Sequence, residues 1–191
     1  MKNIFIPLFI FITSIVHSQT VQTVYIQPLG NVNPRTILTV KKSIEDFYGF
    51  NCVVRRTIPF TNDILAGSRT RYEASKILSK FNSTQNLLIL TEKDIACKKG
   101  NIDEWGIFGL GYRPGTTCVV STFRLKRNVS QAEFLDRLIK TSLHEVGHNL
   151  GMEHCENDSR CLMQDAKGSA KCFKSEKIWI CGKCKRSVGL R

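Results

Sequence analysis

His144-Glu145-Val146-Gly147-His148-Asn149-Leu150-Gly151-Met152-Glu153-His154, followed at once by Cys155 and then by Cys161-Leu162-Met163, is the stretch that decides how this chain reads. Two histidines four apart stand on one face of a helix, so both imidazoles reach a single ion. Glu145, next to the first, sits beside that ion without binding it. Gly151 comes three residues after His148. A helix that must stop and turn back sharply wants glycine there, because glycine tolerates positive φ. The turn can return His154 to the ion as a third nitrogen. Three neutral nitrogens in an open tetrahedron leave the fourth position to water, the catalytic form of a zinc site. The chain has four histidines, and all but His17 lie in this stretch. An amphipathic helix with exposed histidines is the bland alternative. It does not explain the glycine, the third histidine and the downstream methionine occurring together.

Outward from this stretch, the preceding residues read as the helix that carries it. Ser130-Gln131-Ala132-Glu133 has the pattern of a capping box, with Val129 and Phe134 placed as a hydrophobic staple. Leu135, Leu138, Ile139, Val146 and Leu150 recur at helical spacing as its buried face. The candidate ligands His144 and His148 therefore stand on a rigid, packed element. Further upstream the chain alternates. Val21 to Gln27 reads as a strand. Asn33-Pro34 opens a helix marked by Ile37, Val40, Ile44 and Phe47 and ended by Gly49. Cys52 to Ile58 reads as a strand, and Ala74, Ile77, Leu78 and Phe81 as a second helix. Leu87 to Leu90 is apolar without alternation, as in a central strand buried on both faces. Ile107 to Tyr112 and Thr117 to Thr122 read as two strands split by Pro114-Gly115. This alternation indicates an α/β or α+β fold with a mixed sheet. At 191 residues the chain is one domain by length.

The first eighteen residues differ from the rest. Lys2, an apolar run from Ile4 to Val16, and Ser18 before Gln19 read as a secretory signal peptide, too short to span a bilayer. The expectation is a leader at 1–18, an exported mature chain at 19–191, periplasmic or extracellular, and no transmembrane segment once the leader is removed.

The motif and its surroundings resemble the archaemetzincin family of metzincin zinc metalloproteases. The resemblance rests on His144 to His154, on Cys155 directly after the third histidine, and on Cys161 with Met163 in a C-x-M. Cys181-Gly182-Lys183-Cys184 follows after a gap of seventeen residues. It extends upstream to Ile107-Phe108-Gly109-Leu110-Gly111, to Val119 through Leu125, and to Arg71-Tyr72 leading into Ala74 to Leu78. Two positions depart from the family pattern. The five residues between Cys155 and Cys161 are one more than its spacing, and Gln164 stands where close relatives have tyrosine.

The resemblance implies a metzincin-like fold with a mixed twisted sheet, an active-site helix, and a small irregular part at 155–191. It implies a zinc-dependent peptidase in which Glu145 serves as general base and acid. Met163 would form the Met-turn beneath the histidines without acting as a ligand. Ile107 to Gly111 would be the edge strand along which an extended peptide lies, with Gly109 and Gly111 either permitting close backbone approach or serving a bulge. With Gln164 and Asp165 after the Met-turn, no oxyanion helper is assigned there, and Tyr112 is a weaker substitute. Cys155, Cys161, Cys181 and Cys184 match a four-cysteine structural zinc site, giving two Zn2+ per chain. In an oxidising compartment the same thiols could instead pair as Cys155–Cys161 and Cys181–Cys184. Cys52 and Cys118 read as buried thiols; Cys97 and Cys172 fall in loops, and any pairing among these four is open.

The formal charge is +12, and loss of the leader with its single charged side chain, Lys2, leaves +11. Lysines and arginines crowd the tail, where they could favour acidic partners or serve as a solvated surface. Few aromatics interleave with them, so no nucleic-acid partner is expected. A peptide or protein substrate and a monomer are expected. The alternative function is a catalytically weak two-zinc binding module for peptides or anionic partners; Glu145 argues against it, because a pure binder has no need of a base there.

Overall fold

Asn33 and Pro34 open the first helix as the sequence predicts. Asn33 Oδ1 accepts from the Arg35 backbone N–H at 2.9 Å, and Pro34 occupies a first-turn position whose N–H would have no helical partner anyway. The computed structural model describes residues 22–68, 70–167 and 169–190, so the leader read at 1–18 lies outside the described residues. Helix α1 (Pro34–Tyr48) follows strand β1 (Thr23–Leu29) and precedes β2 (Asn51–Val54), a strand shorter than the Cys52–Ile58 expected. Ile58 makes only an isolated bridge to Leu29. Next come β3 (Tyr72–Glu73), α2 (Ala74–Lys80), β4 (Leu87–Thr91), β5 (Ile95–Lys99), β6 (Ile102–Ile107), β7 (Gly109–Gly111) and β8 (Thr117–Ser121). A single turn α3 (Thr122–Leu125) leads to the long helix α4 (Gln131–Asn149), and α5 (Cys172–Ser175) and α6 (Gly182–Ser187) punctuate the tail.

The fold is mixed α/β. The main sheet runs β2-β1-β4-β8-β7, with the first four strands parallel and β7 antiparallel to β8. Every residue of β4 is buried, because helices cover both faces. Leu88 and Leu90 join Ile44, Leu138 and Val146 on the side of α1 and α4. Leu87 and Ile89 join Ile77 and Leu78 of α2 on the other. The period of two along the strand thus divides one apolar run between two cores.

A second sheet, β3-β5-β6, was not expected from the sequence. Its hairpin carries Lys98, Lys99, Asp103 and Glu104, which interrupt any apolar alternation. Tertiary contacts hold it instead. Asp94, just before β5, accepts from Arg71 Nε at 3.0 Å and from Arg124 Nε and Nη2 at 2.7 and 2.9 Å. This carboxylate therefore joins the strand before α2 to the turn after β8. The hairpin also corrects the edge-strand boundary. Ile107 closes β6 in the second sheet, and the main-sheet edge is Gly109–Gly111, extended by the Ser121 N–H donating to Phe108 O at 2.8 Å. Among the described residues no helix is long and apolar enough to cross a membrane.

Candidate active site

Helix α4 begins as its sequence requires: Ser130 Oγ accepts from the Glu133 N–H at 3.2 Å. Only half of the capping box forms, since the Glu133 carboxylate accepts from Arg137 at 2.6 Å. Phe134, Leu138, Leu143 and Val146 are buried, while Leu135, Ile139 and Leu150 pack at the margin of the same core. The helix ends at Gly151, whose φ is +105°. The Met152 N–H donates to Gly147 O at 3.0 Å and the Gly151 N–H to His148 O at 2.9 Å. This is the paired pattern of a Schellman motif. A side chain at a φ of that sign would be strained, so glycine allows the reversal that brings His154 back over the helix.

The reversal gathers the three histidines. His148 Nε2 lies 3.2 Å from His154 Nε2, and one nitrogen of each of the three is within 4.8 Å of the others. Ligands at zinc–nitrogen distance in a tetrahedron lie about 3.3 Å apart, so this donor set fits that ion. The second ring nitrogens are already committed: His144 Nδ1 donates to Leu162 O and His148 Nδ1 to Met152 O, each at 2.8 Å. Each bond fixes a tautomer with Nε2 unprotonated and aimed at the site. Burial pushes His144 down to about 3, with neighbouring His148 adding to the shift; burial likewise lowers His148. Both rings are thus held neutral, as metal ligands must be.

Glu145 lies against β7. A Cβ at Gly109 would come 2.6 Å from Glu145 Oε1, and one at Gly111 would come 3.3 Å from Oε2. These glycines are read from the sequence as room for a substrate backbone or a bulge; the room is taken by the Glu145 side chain. Burial pushes the Glu145 carboxyl up to about 8. Met163 is fully buried beneath the helix, and a Cβ at Gly147 would meet its Sδ at 2.6 Å. Helix and methionine approach closely only because residue 147 has no side chain.

The oxyanion candidates separate. Both amide hydrogens of Gln164 are used, donated to Cys155 O and Asp158 O, so this side chain has no donor left for substrate. Tyr112 is 46% exposed and does not line the cleft. Arg113, next to it, does line the cleft and pairs with Glu153 at 3.2 Å. The cleft has a volume of about 400 Å3 and runs from the histidines past Phe108 to Gly111 on one side and past Lys140, Phe173 and Glu176 on the other.

Cys155, Cys161, Cys181 and Cys184 are all buried, with sulfurs within 4.8 Å of one another. Cys155 Sγ to Cys181 Sγ is 3.7 Å, against about 3.8 Å for two thiolates of a tetrahedral zinc. The Cys181 N–H donates to Cys161 Sγ at 3.4 Å. The extra residue between Cys155 and Cys161 sits in a loop closed by Asp158, which accepts from the Arg160 N–H at 2.9 Å. The Cys155 N–H donates to Met163 O at 2.7 Å, joining this cluster to the turn below the histidines. Cys52 and Cys118 are buried and Cys97 and Cys172 half-buried; no disulfide joins any of the eight cysteines in this structure. Gly147, the second sheet and Glu176 are the features sequence reasoning missed. Of these only Gly147 had a local signal, a helix-interior glycine that needs a packing reason.

A family profile described as Peptidase family M54 matches residues 61–189. The archaemetzincin of Halobacterium salinarum is 30% identical over 174 residues, covering 85% of this chain and 97% of that protein. That of Archaeoglobus fulgidus is 28% identical over 165 residues, covering 86% and 98%. The crystal structure of the Archaeoglobus fulgidus archaemetzincin complexed with malonate matches with a TM-score of 0.75 and 27% identity, covering 86% of this chain and 99% of that one. The archaemetzincin structure from Methanopyrus kandleri shares the fold, with a TM-score of 0.72 at 20% identity, over 91% of this chain and 97% of that one.

Proposed function

Because the chain belongs to peptidase family M54, the archaemetzincins, and is therefore a zinc metallopeptidase, we propose that His144, His148 and His154 hold its catalytic zinc and that Glu145 is the general base and acid of hydrolysis. The observation that carries this is the placement of Glu145. Its carboxyl is buried against β7 in the cleft that the three histidines also line, yet outside their donor set. When bound, zinc supplies Lewis-acid polarisation of the scissile carbonyl and acidifies a water. Glu145 takes a proton from the attacking water and passes it to the leaving amine. Burial favours the protonated form of the Glu145 carboxyl, the form it takes between the two transfers. The Nδ1 bonds of His144 and His148 keep their rings oriented throughout.

An extended peptide adds to β7, which among the described residues pairs only with β8 and forms the outer edge of the main sheet. Phe108 to Gly111 line the substrate path, and Ile107 borders it from the second sheet. Cys155, Cys161, Cys181 and Cys184 hold a second, structural zinc, supported by their tetrahedral spacing. That ion orders a tail with little apolar core of its own and steadies the turn bearing Met163. The mature protein acts as an exported monomer from which residues 1–18 have been removed, and its basic tail favours acidic partners.

A cleavage profile against a peptide library tests this reading. Glu145→Gln retains the catalytic zinc and loses hydrolysis by about 10²- to 10⁴-fold, whereas His148→Ala loses that zinc. Wild-type rates in Glu145→Gln exclude the mechanism.

A further inference from the structure

The cleft continues past the histidines to an end that no step of hydrolysis uses. Lys140 lies four residues before His144, on the same helix face, and its side chain is 8% exposed. Its Nζ donates to Asp136 Oδ2 at 2.7 Å and to Phe173 O at 2.9 Å, so its charge is already matched. Opposite stands Glu176, only 6% exposed and lining the cleft. The Glu176 N–H donates to Cys172 O at 3.0 Å, which fixes its backbone at the end of α5.

The Glu176 carboxyl is poorly provided for. The nearby Cys172 thiol donates to Ser169 O at 3.3 Å, and the Lys140 ammonium acts on the carboxyl only from a distance. Among the described residues no cationic nitrogen lies within 4.0 Å of it. A buried carboxylate with so weak a partner is costly, and such a cost is offset where a ligand brings the missing cation. The neighbouring wall suits the rest of such a ligand: Phe108 and Phe173, in edge contact at 5.4 Å, give an alkyl stem an apolar surface.

We propose that Glu176 is the specificity-determining residue of the cleft, selecting peptides that place a lysine or arginine side chain at this end. The proposal rests on the peptidase reading and names its substrate class. Matched peptides differing at one position, lysine, arginine or the uncharged isostere norleucine, are to be cleaved by the zinc-loaded protein and by Glu176→Gln. The ratio is taken within each protein, so that any loss of folded enzyme cancels. The lysine peptide is favoured over norleucine by about tenfold or more in kcat/KM, and the ratio falls towards one in Glu176→Gln. No preference in the wild type, or a preference unchanged by Glu176→Gln, overturns the proposal. A titration with n-pentylammonium against n-pentanol, followed by NMR, reads the same site without turnover. Saturable shifts of the residue 173–177 amides with the ammonium alone, lost in Glu176→Gln, support it; their absence, or equal shifts in both proteins, overturns it. If no peptide is cleaved, the peptidase reading fails and the titration alone decides this inference.

Discussion

Replacing Gly109 by alanine separates the position of the general base from the integrity of the metal site. The new Cβ would lie 2.6 Å from Glu145 Oε1, 2.7 Å from its Cγ and 2.9 Å from its Cδ. Ordinary contact begins near 3.4 Å, so Oε1 must retreat from 2.6 to 3.4 Å, a move of about 0.8 Å. The clash involves a side chain, and Gly109 does not have positive φ, so the strand itself tolerates alanine. Gly111 flanks the same carboxylate and limits where it can go. A displacement of this size at a catalytic group costs about 10²-fold in kcat/KM, or about 2.7 kcal/mol of transition-state stabilisation. The three histidines are untouched, so zinc content stays at the wild-type value. The assay pairs peptide hydrolysis with zinc analysis and a thermal melt. Gly67→Ala serves as the control, since its Cβ would meet nothing nearer than Glu104 Oε1 at 3.7 Å. Wild-type activity in Gly109→Ala would refute the placement of Glu145 against β7. Loss of zinc or of the fold together with activity would refute the claim that this glycine serves the base alone.

Three further outcomes are expected. Native mass spectrometry of the exported protein finds two zincs and the four tail thiols reduced; one zinc and a mass lower by two disulfides excludes the second metal site. Glu176, pushed up to about 7 by burial, keeps in the folded state a proton that the unfolded chain releases near its ordinary value of 4.5. Stability from this group is therefore full below about pH 4.5 and lost as pH rises through about 7. Glu176→Gln, neutral throughout, gains stability relative to wild type in denaturant titrations between about pH 5 and about pH 8, and an unchanged difference contradicts that assignment. N-terminal sequencing of secreted material begins at Gln19; a full-length chain in the cytosolic fraction removes the export proposal.

Much of the site was legible because its signals are local. His144 and His148 are related by the helix period alone, and Gly151 announces the turn through a backbone conformation that glycine adopts without strain. Asn33-Pro34 and Ser130 declare helix starts within a single turn of chain. Leu87 to Leu90 declares a buried strand by having no polar face. The hairpin of β5 and β6 has no such signal. Its strands are rich in charge, and it is held by Asp94 reaching Arg71 and Arg124, residues far away in sequence. The sequence accordingly reads Ile107 to Tyr112 as one strand, although Ile107 and Gly109 belong to different sheets.

By itself, then, the sequence determined the helix that presents two histidines, the turn that returns the third, and the cysteine spacings that match a second metal site. Each is set by backbone periods and by residues within one or two turns of each other. Only the tertiary structure decided why residues 109 and 111 lack side chains, why Gly147 sits over Met163, and that Glu176 stands in the cleft with its carboxyl so weakly partnered. These depend on which surfaces of α4, β7 and the tail meet. That choice is made by packing between segments that share no local pattern.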